Sequence, residues 1–261
     1  MAVRFRTEMS ANVLFGAIVG CVVFAGCGRA PAPAPPTVVA PPPTSTPMIS
    51  RIDLPQPAQR LGTAVVVLID TSGSMAQPIA DHSGRQRAKH EIARDALKHI
   101  VETTETWHRQ HQDTNLFLGI TNFSGVTAGV LPMGPFDAAA AQESLARIPA
   151  PAGGTAIGLA LEEGFKALYG TGCIRKHLVC ITDGENTVST PPDLMARQLH
   201  AQTRGDVELH FVAFDTSGRH FGFLKDVNGS VDEADGTQLE QRLVDLYEKR
   251  ILVEAMPAEK E

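Results

Sequence analysis

Positive charge is in short supply in this 261-residue chain: 23 Lys and Arg face 29 Asp and Glu, for a formal net charge of −6. Leaving out Arg4, Arg6 and Glu8 near the start, the balance is −7. Nucleic-acid binding is disfavoured, because it relies on a basic surface that neutralises phosphates. The chain also has no P-loop, no Gly-Xaa-Ser-Xaa-Gly elbow and no His-Glu-Xaa-Xaa-His segment, so the common sequence signals of nucleotide, ester and zinc-peptide chemistry are missing. Cysteine is scarce, four in all, with no CxxC or Cys/His zinc spacing. Of these only Cys173 and Cys180 fall in the part expected to fold. An extended chain would hold their sulfurs too far apart to bond unless 170–173 folds back. Cys180, inside an apolar run, is expected to be a small core residue.

No apolar run reaches the roughly 20 residues of a membrane-spanning helix. The longest uncharged one, 11–25, follows Arg4 and Arg6 and reads as the hydrophobic region of a secretory signal. It ends in Phe24-Ala-Gly-Cys27, which resembles the lipobox of bacterial lipoproteins, although Phe24 replaces the usual aliphatic residue. Ile18-Val-Gly-Cys21 fits that preference better, but the apolar stretch continues past Cys21. Cys27 is therefore the expected lipidated residue and Cys21 the alternative; an ordinary cleaved signal peptide or an uncleaved anchor are the other readings. Lipidation would place the mature protein in the cell envelope, anchored to a membrane without spanning it. In a double-membrane bacterium, Gly28 after the cysteine resembles the pattern for the outer membrane. Without lipidation the chain is expected to be secreted.

Ten of the 18 prolines lie between Pro31 and Pro57. Such a segment favours extended polyproline geometry at about 3.1 Å per residue, so 28–60 could act as a stalk of roughly 100 Å. The expected organisation is a signal over 1–27, a Pro-rich disordered stalk over 28–60, one domain over 61–254 and a short tail over 255–261.

Within the domain, apolar runs alternate with helical patterns. Ala64–Asp70, Leu116–Phe123, His177–Thr182 and Val207–Phe214 read as strands, with 126–131 paired to the second of them across Ser124-Gly125. Helices are expected over 87–103, 138–147, 156–169, 192–203 and 237–249, with 250–254 returning as a strand. Strands separated by helices imply crossover units, hence a three-layer, doubly wound α/β fold with a mostly parallel sheet and one antiparallel edge strand. Ligands in such sheets bind at the carboxyl ends of the strands.

Asp70, Ser72 and Ser74 form an oxygen-rich Asp-Xaa-Ser-Xaa-Ser turn at one such end, following Val65-Val-Val-Leu-Ile69. Asp183 ends a second apolar run, and Gly153-Gly-Thr155 opens a helical pattern. These hard oxygen donors suit a divalent cation. Mg²⁺ takes about six oxygens at about 2.1 Å, and neutral hydroxyls leave its charge free to attract an anion. Individually, Ser and Thr at such places also serve as ordinary caps and turn residues.

Asp70-Thr-Ser-Gly-Ser74, Thr155 and Thr182-Asp183-Gly184, in that order, resemble the metal-ion-dependent adhesion site (MIDAS) of von Willebrand factor type A (VWA) domains. The resemblance covers roughly residues 62–249. It implies that Ser72, Ser74 and Thr155 offer hydroxyls to Mg²⁺ or Mn²⁺, with Asp70 and Asp183 holding the metal through waters or as acceptors behind its direct ligands. A protein partner would complete the coordination with an Asp or Glu carboxylate. The site faces the rim, so Asp70→Ala is expected to cost the fold little. A structural cation in an envelope scaffold is the runner-up.

Catalysis is not expected. A haloacid-dehalogenase type of motif wants a second acidic residue two positions after the first, where Ser72 stands. The segment 226–237 fails as an EF-hand, with Val231 and Thr237 at its sixth and twelfth positions, and reads as a polar loop. It also lacks the Gly-Gly pair common in the family before the last strand. His90, His99, His108 and His111 read as solvated residues along or just beyond the first helix.

Overall fold

The computed structural model describes residues 50–256. The expected signal, with Cys21 and Cys27, and most of the expected stalk lie outside the described residues. Among the described residues eight strands occur: β1 (Arg60–Asp70), β2 (Pro78–Ala80), β3 (Gln86–Ala88), β4 (Leu116–Phe123), β5 (Thr127–Pro135), β6 (Cys173–Thr182), β7 (Glu208–Phe214) and β8 (Gly229–Ala234). The α-helices are α1 (Lys89–Gln110), α2 (Ala138–Leu145), α3 (Ile157–Gly170), α4 (Pro192–Thr203), α5 (Leu239–Leu246) and α6 (Leu252–Ala255).

Six strands make one sheet in the order β5-β4-β1-β6-β7-β8, all parallel except the β4–β5 hairpin. Strand β1 is central because it can be buried on both faces. Val65, Val67 and Ile69 pack with α1 and α5, while Ala64, Val66 and Leu68 pack with α3 and α4. A continuous β-branched run is what a doubly covered parallel strand requires. Helix α3 lies close to the sheet at Gly164, where a β-carbon would come within 2.8 Å of Leu178 Cδ1. Asp137 caps α2 by accepting from the Ala140 N–H at 3.0 Å, and Pro192 opens α4 where no backbone donor is needed.

Several sequence expectations need correction. The end of the expected stalk belongs to the domain: Ile52 and Leu54 are buried in the α3/α4 core, and Ile52 exchanges backbone hydrogen bonds with the Gln202 side chain. The polar loop expected over 226–237 contains β8, an edge strand paired in parallel with β7. The strand expected over 250–254 is helical, because a π-type turn at Tyr247–Ile251 continues α5 into α6 and buries Tyr247, Ile251 and Leu252 on the same side. The β2–β3 hairpin was not anticipated, and α1 extends to Gln110. Cys173 and Cys180 are both free and buried on the same strand. His111 is half-buried and stacked on Trp107, with ring centroids 4.4 Å apart. No helix among the described residues is long and apolar enough to cross a membrane.

Candidate metal centre

The chain leaves β1 for β4 on one side of the sheet and returns through β6 on the other, so the carboxyl ends of β1 and β6 adjoin, Ile69 pairing with Ile181. Asp70 ends β1 and Asp183 follows β6. The two carboxylates, 113 positions apart in sequence, therefore reach one rim.

Asp70 is fully buried. Its Oδ1 accepts from the Ser72 N–H at 2.7 Å, and its Oδ2 accepts from Thr182 Oγ1 at 2.6 Å. Burial pushes the Asp70 carboxyl above its ordinary range, Asp183 adds to that push, and the bonds from Thr182 and Ser72 oppose it. The bond to Ser72 folds the turn back on the strand end. Ser72 Oγ lies 3.1 Å from Ser74 Oγ, and Ser74 Oγ donates to Asp183 Oδ1 at 2.7 Å. Asp70, Ser72, Ser74 and Asp183 thus form one connected set of oxygens.

Thr155 is placed by its backbone. Its N–H donates to Thr187 Oγ1 at 2.8 Å, and its carbonyl accepts from the N–H groups of Thr187 and Val188 at 2.9 and 3.3 Å. The preceding residues lie against the serine turn: the Ala152 N–H donates to Thr71 O at 2.8 Å, and the Gly73 N–H to Gly153 O at 3.1 Å. Gly153 has a φ of +78°, which explains glycine there.

Two residues at the rim were missed in the sequence. Lys89, the first residue of α1, is buried, with Nζ 3.0 Å from Asp183 Oδ2 and 2.9 Å from Asp215 Oδ2. Burial works against its charge, but hydrogen bonds from the ammonium to Asp215 and Asp183 win, and its pKa lies above the ordinary value. Asp215 follows β7 as Asp183 follows β6, so its place after an apolar run was a usable signal. Nothing comparable marks Lys89. The two oxygens of Asp183 divide their work: Oδ1 takes the serine hydroxyl and Oδ2 the lysine. The oxygen-only donor set of Asp70, Ser72, Ser74 and Asp183 fits a hard cation such as Mg²⁺ or Mn²⁺.

The burial of Asp70 corrects the expectation that Asp70→Ala is harmless. Removing it leaves the Ser72 N–H without an acceptor and the Thr182 hydroxyl with only its long bond to Gly184 O at 3.4 Å, an unsatisfied buried donor costing about 1–3 kcal/mol, offset in part by relief of the carboxylate's desolvation. A loss of about 2 kcal/mol, measured by urea unfolding, is the expected result, with Asp70→Asn losing less because its amide oxygen can still accept from one of the two donors.

Residues 65–185 match the family model of the von Willebrand factor type A domain, and the solved structures agree in fold. A von Willebrand factor type A protein from Catenulispora acidiphila aligns with a TM-score of 0.54 at 24% identity, over 71% of this chain and 42% of that one. BatB from Bacteroides thetaiotaomicron, a conserved hypothetical protein, aligns with a TM-score of 0.55 at 19% identity, over 73% and 98%. Proximal thread matrix protein 1 from the mussel byssus, solved with a zinc-occupied MIDAS motif, aligns with a TM-score of 0.54 at 18% identity, over 75% and 49%. The chain thus spans less than half the length of two of these. No curated protein sequence gives a significant match. The chain thus has the α/β fold of von Willebrand factor type A domains, and its residues 65–185 match their family model.

Proposed function

We propose that this domain is a divalent-cation-dependent protein-binding module. A metal held by Ser72, Ser74 and Thr155, with Asp70 and Asp183 beside it, would take an Asp or Glu carboxylate of a partner protein into its coordination sphere. The observation that carries this reading is the hydrogen-bonded chain from Asp70 through Ser72 and Ser74 to Asp183 at the carboxyl ends of β1 and β6. Such a set binds a hard cation without cancelling its charge, so the ion stays attractive to an anionic oxygen. We further infer Mg²⁺ or Mn²⁺ as the ion and Cys27 as a lipid anchor that displays the domain at the cell envelope. Binding, rather than catalysis, is the reading.

Capture from envelope extract with the full-length chain tests it. A partner retained in Mg²⁺ and lost both on chelation and in Ser74→Ala is the expected result. A partner indifferent to all three conditions would favour the scaffold reading. One observation speaks for that second reading: Lys89 already supplies a cation to Asp183 and Asp215, which can hold the rim together by itself.

A further inference from the structure

We propose that His177, Glu208 and His210 form a second metal site, suited to a borderline divalent ion of the Zn²⁺ class. It lies on the α1/α5 face of the sheet, at the amino end of β7. Asp183 stands six positions after His177, about 20 Å along the strand direction, so the site is remote from the rim. His177 pairs with Glu208 in the β6–β7 register, and His210 stands two residues beyond Glu208. Period-two alternation therefore turns all three side chains to one face.

The geometry is close to what a metal needs. His177 Nδ1 and His210 Nε2 are 3.3 Å apart, and Glu208 Oε2 is 4.0 Å from the first and 3.7 Å from the second. Four ligands placed tetrahedrally at the usual zinc distances stand about 3.3 Å from one another, so small side-chain movements would close the triangle. His210 Nδ1 has an outer partner, as metal-bound histidines usually do, 3.2 Å away at Ser230 Oγ. His177 Nε2 is buried without a hydrogen bond, with Glu254 Oε2 3.3 Å away outside hydrogen-bond geometry. Both rings are buried, and metal binding takes the neutral imidazole. Two carboxylates and two neutral imidazoles match a double positive charge. Arg175 and Arg250 oppose it from nearby, but Arg175 also bonds the Glu254 carbonyl. Glu254 is delivered by the π-type turn between α5 and α6, so the ion would fasten the C-terminal helix to the sheet. Sequence reading missed this site because its ligands sit on two strands, 31 and 33 positions apart, with no local spacing to betray them.

The test is a Zn²⁺ titration of the chelator-stripped full-length protein, followed by ¹⁵N imidazole resonances and by calorimetry. One equivalent of Zn²⁺ should shift His177 and His210, in wild type and in Ser74→Ala alike, while the rim site accounts for any equivalent that Ser74→Ala removes. Glu208→Gln should raise the Zn²⁺ Kd at least about ten-fold. Shifts confined to the other seven histidines, or none, would overturn the proposal, leaving the pair as a plain imidazole–imidazole hydrogen bond. Unchanged affinity in Glu208→Gln would overturn it as well; should that variant not fold, the wild-type shifts decide alone. Failure of the rim site appears only in the Ser74→Ala comparison.

Discussion

Replacing Lys89 with methionine lowers the stability of the chelated protein by about 3–5 kcal/mol, the usual cost of removing one partner from a buried ion pair. The reason lies in the surroundings of Asp183. Its side chain is fully buried, and Lys89 is the cation in contact with it. Asp215 is half-exposed and can recover solvation, so its own pairing with Lys89 contributes little. The diagnostic part is the response to metal. A ligand that binds only the folded state stabilises it by about 2.7 kcal/mol at one hundred times its Kd. Mg²⁺ or Mn²⁺ should therefore recover much of the loss in Lys89→Met, and should bind this variant more tightly than wild type because a competing positive charge has gone. Urea unfolding with and without cation checks both. Equal stability of Lys89→Met in chelator and in Mg²⁺ would show that the lysine and the cation do not share Asp183.

A β-carbon at Gly158 gives the second large effect. It would overlap the Thr190 carbonyl at the start of α3, and backbone cannot move aside as a side chain can. Overpacking of this kind costs about 1–3 kcal/mol, occasionally more. The displaced segment is also the one whose Thr187 and Val188 hold Thr155 in place. Gly158→Ala is thus expected to lose about 3 kcal/mol and to weaken Mn²⁺ binding at least about ten-fold. Gly170→Ala, with open space around its α-carbon, should keep wild-type affinity. Calorimetry on the two variants separates the effects, and tight Mn²⁺ binding by Gly158→Ala would mean that Thr155 is not needed at the metal.

Both predictions involve residues whose importance local sequence does not reveal. Lys89 looks like any lysine in the first turn of a helix, and Gly158 like a weak helix former. Each matters through a neighbour nearly a hundred or about thirty positions away.

What the sequence determined by itself follows from short-range rules. The β-branched run of β1, the matching bounds of β4, the hairpin to β5 and the proline at the start of α4 all came from periodicity and turn chemistry, which depend on adjacent residues. Asp70 and Asp183 were legible because strand ends in a parallel sheet share one rim. The period of α5 also continued through Leu243, Tyr247 and Ile251, so the helical C-terminus was present in the pattern, though a β-branched and apolar stretch beginning at Arg250 suggested a strand. Tertiary structure decided the rest. Gly229–Ala234 has no apolar alternation, and only the free edge of β7 makes a strand of it. Ile52 and Leu54 sit in a proline-rich context and are ordered by the α3/α4 core they cover. Lys89 is drawn into the rim because two carboxylates at the ends of β6 and β7 need a counter-charge where water is scarce. Such long-range pairings arise from topology, and no local pattern in the chain encodes them.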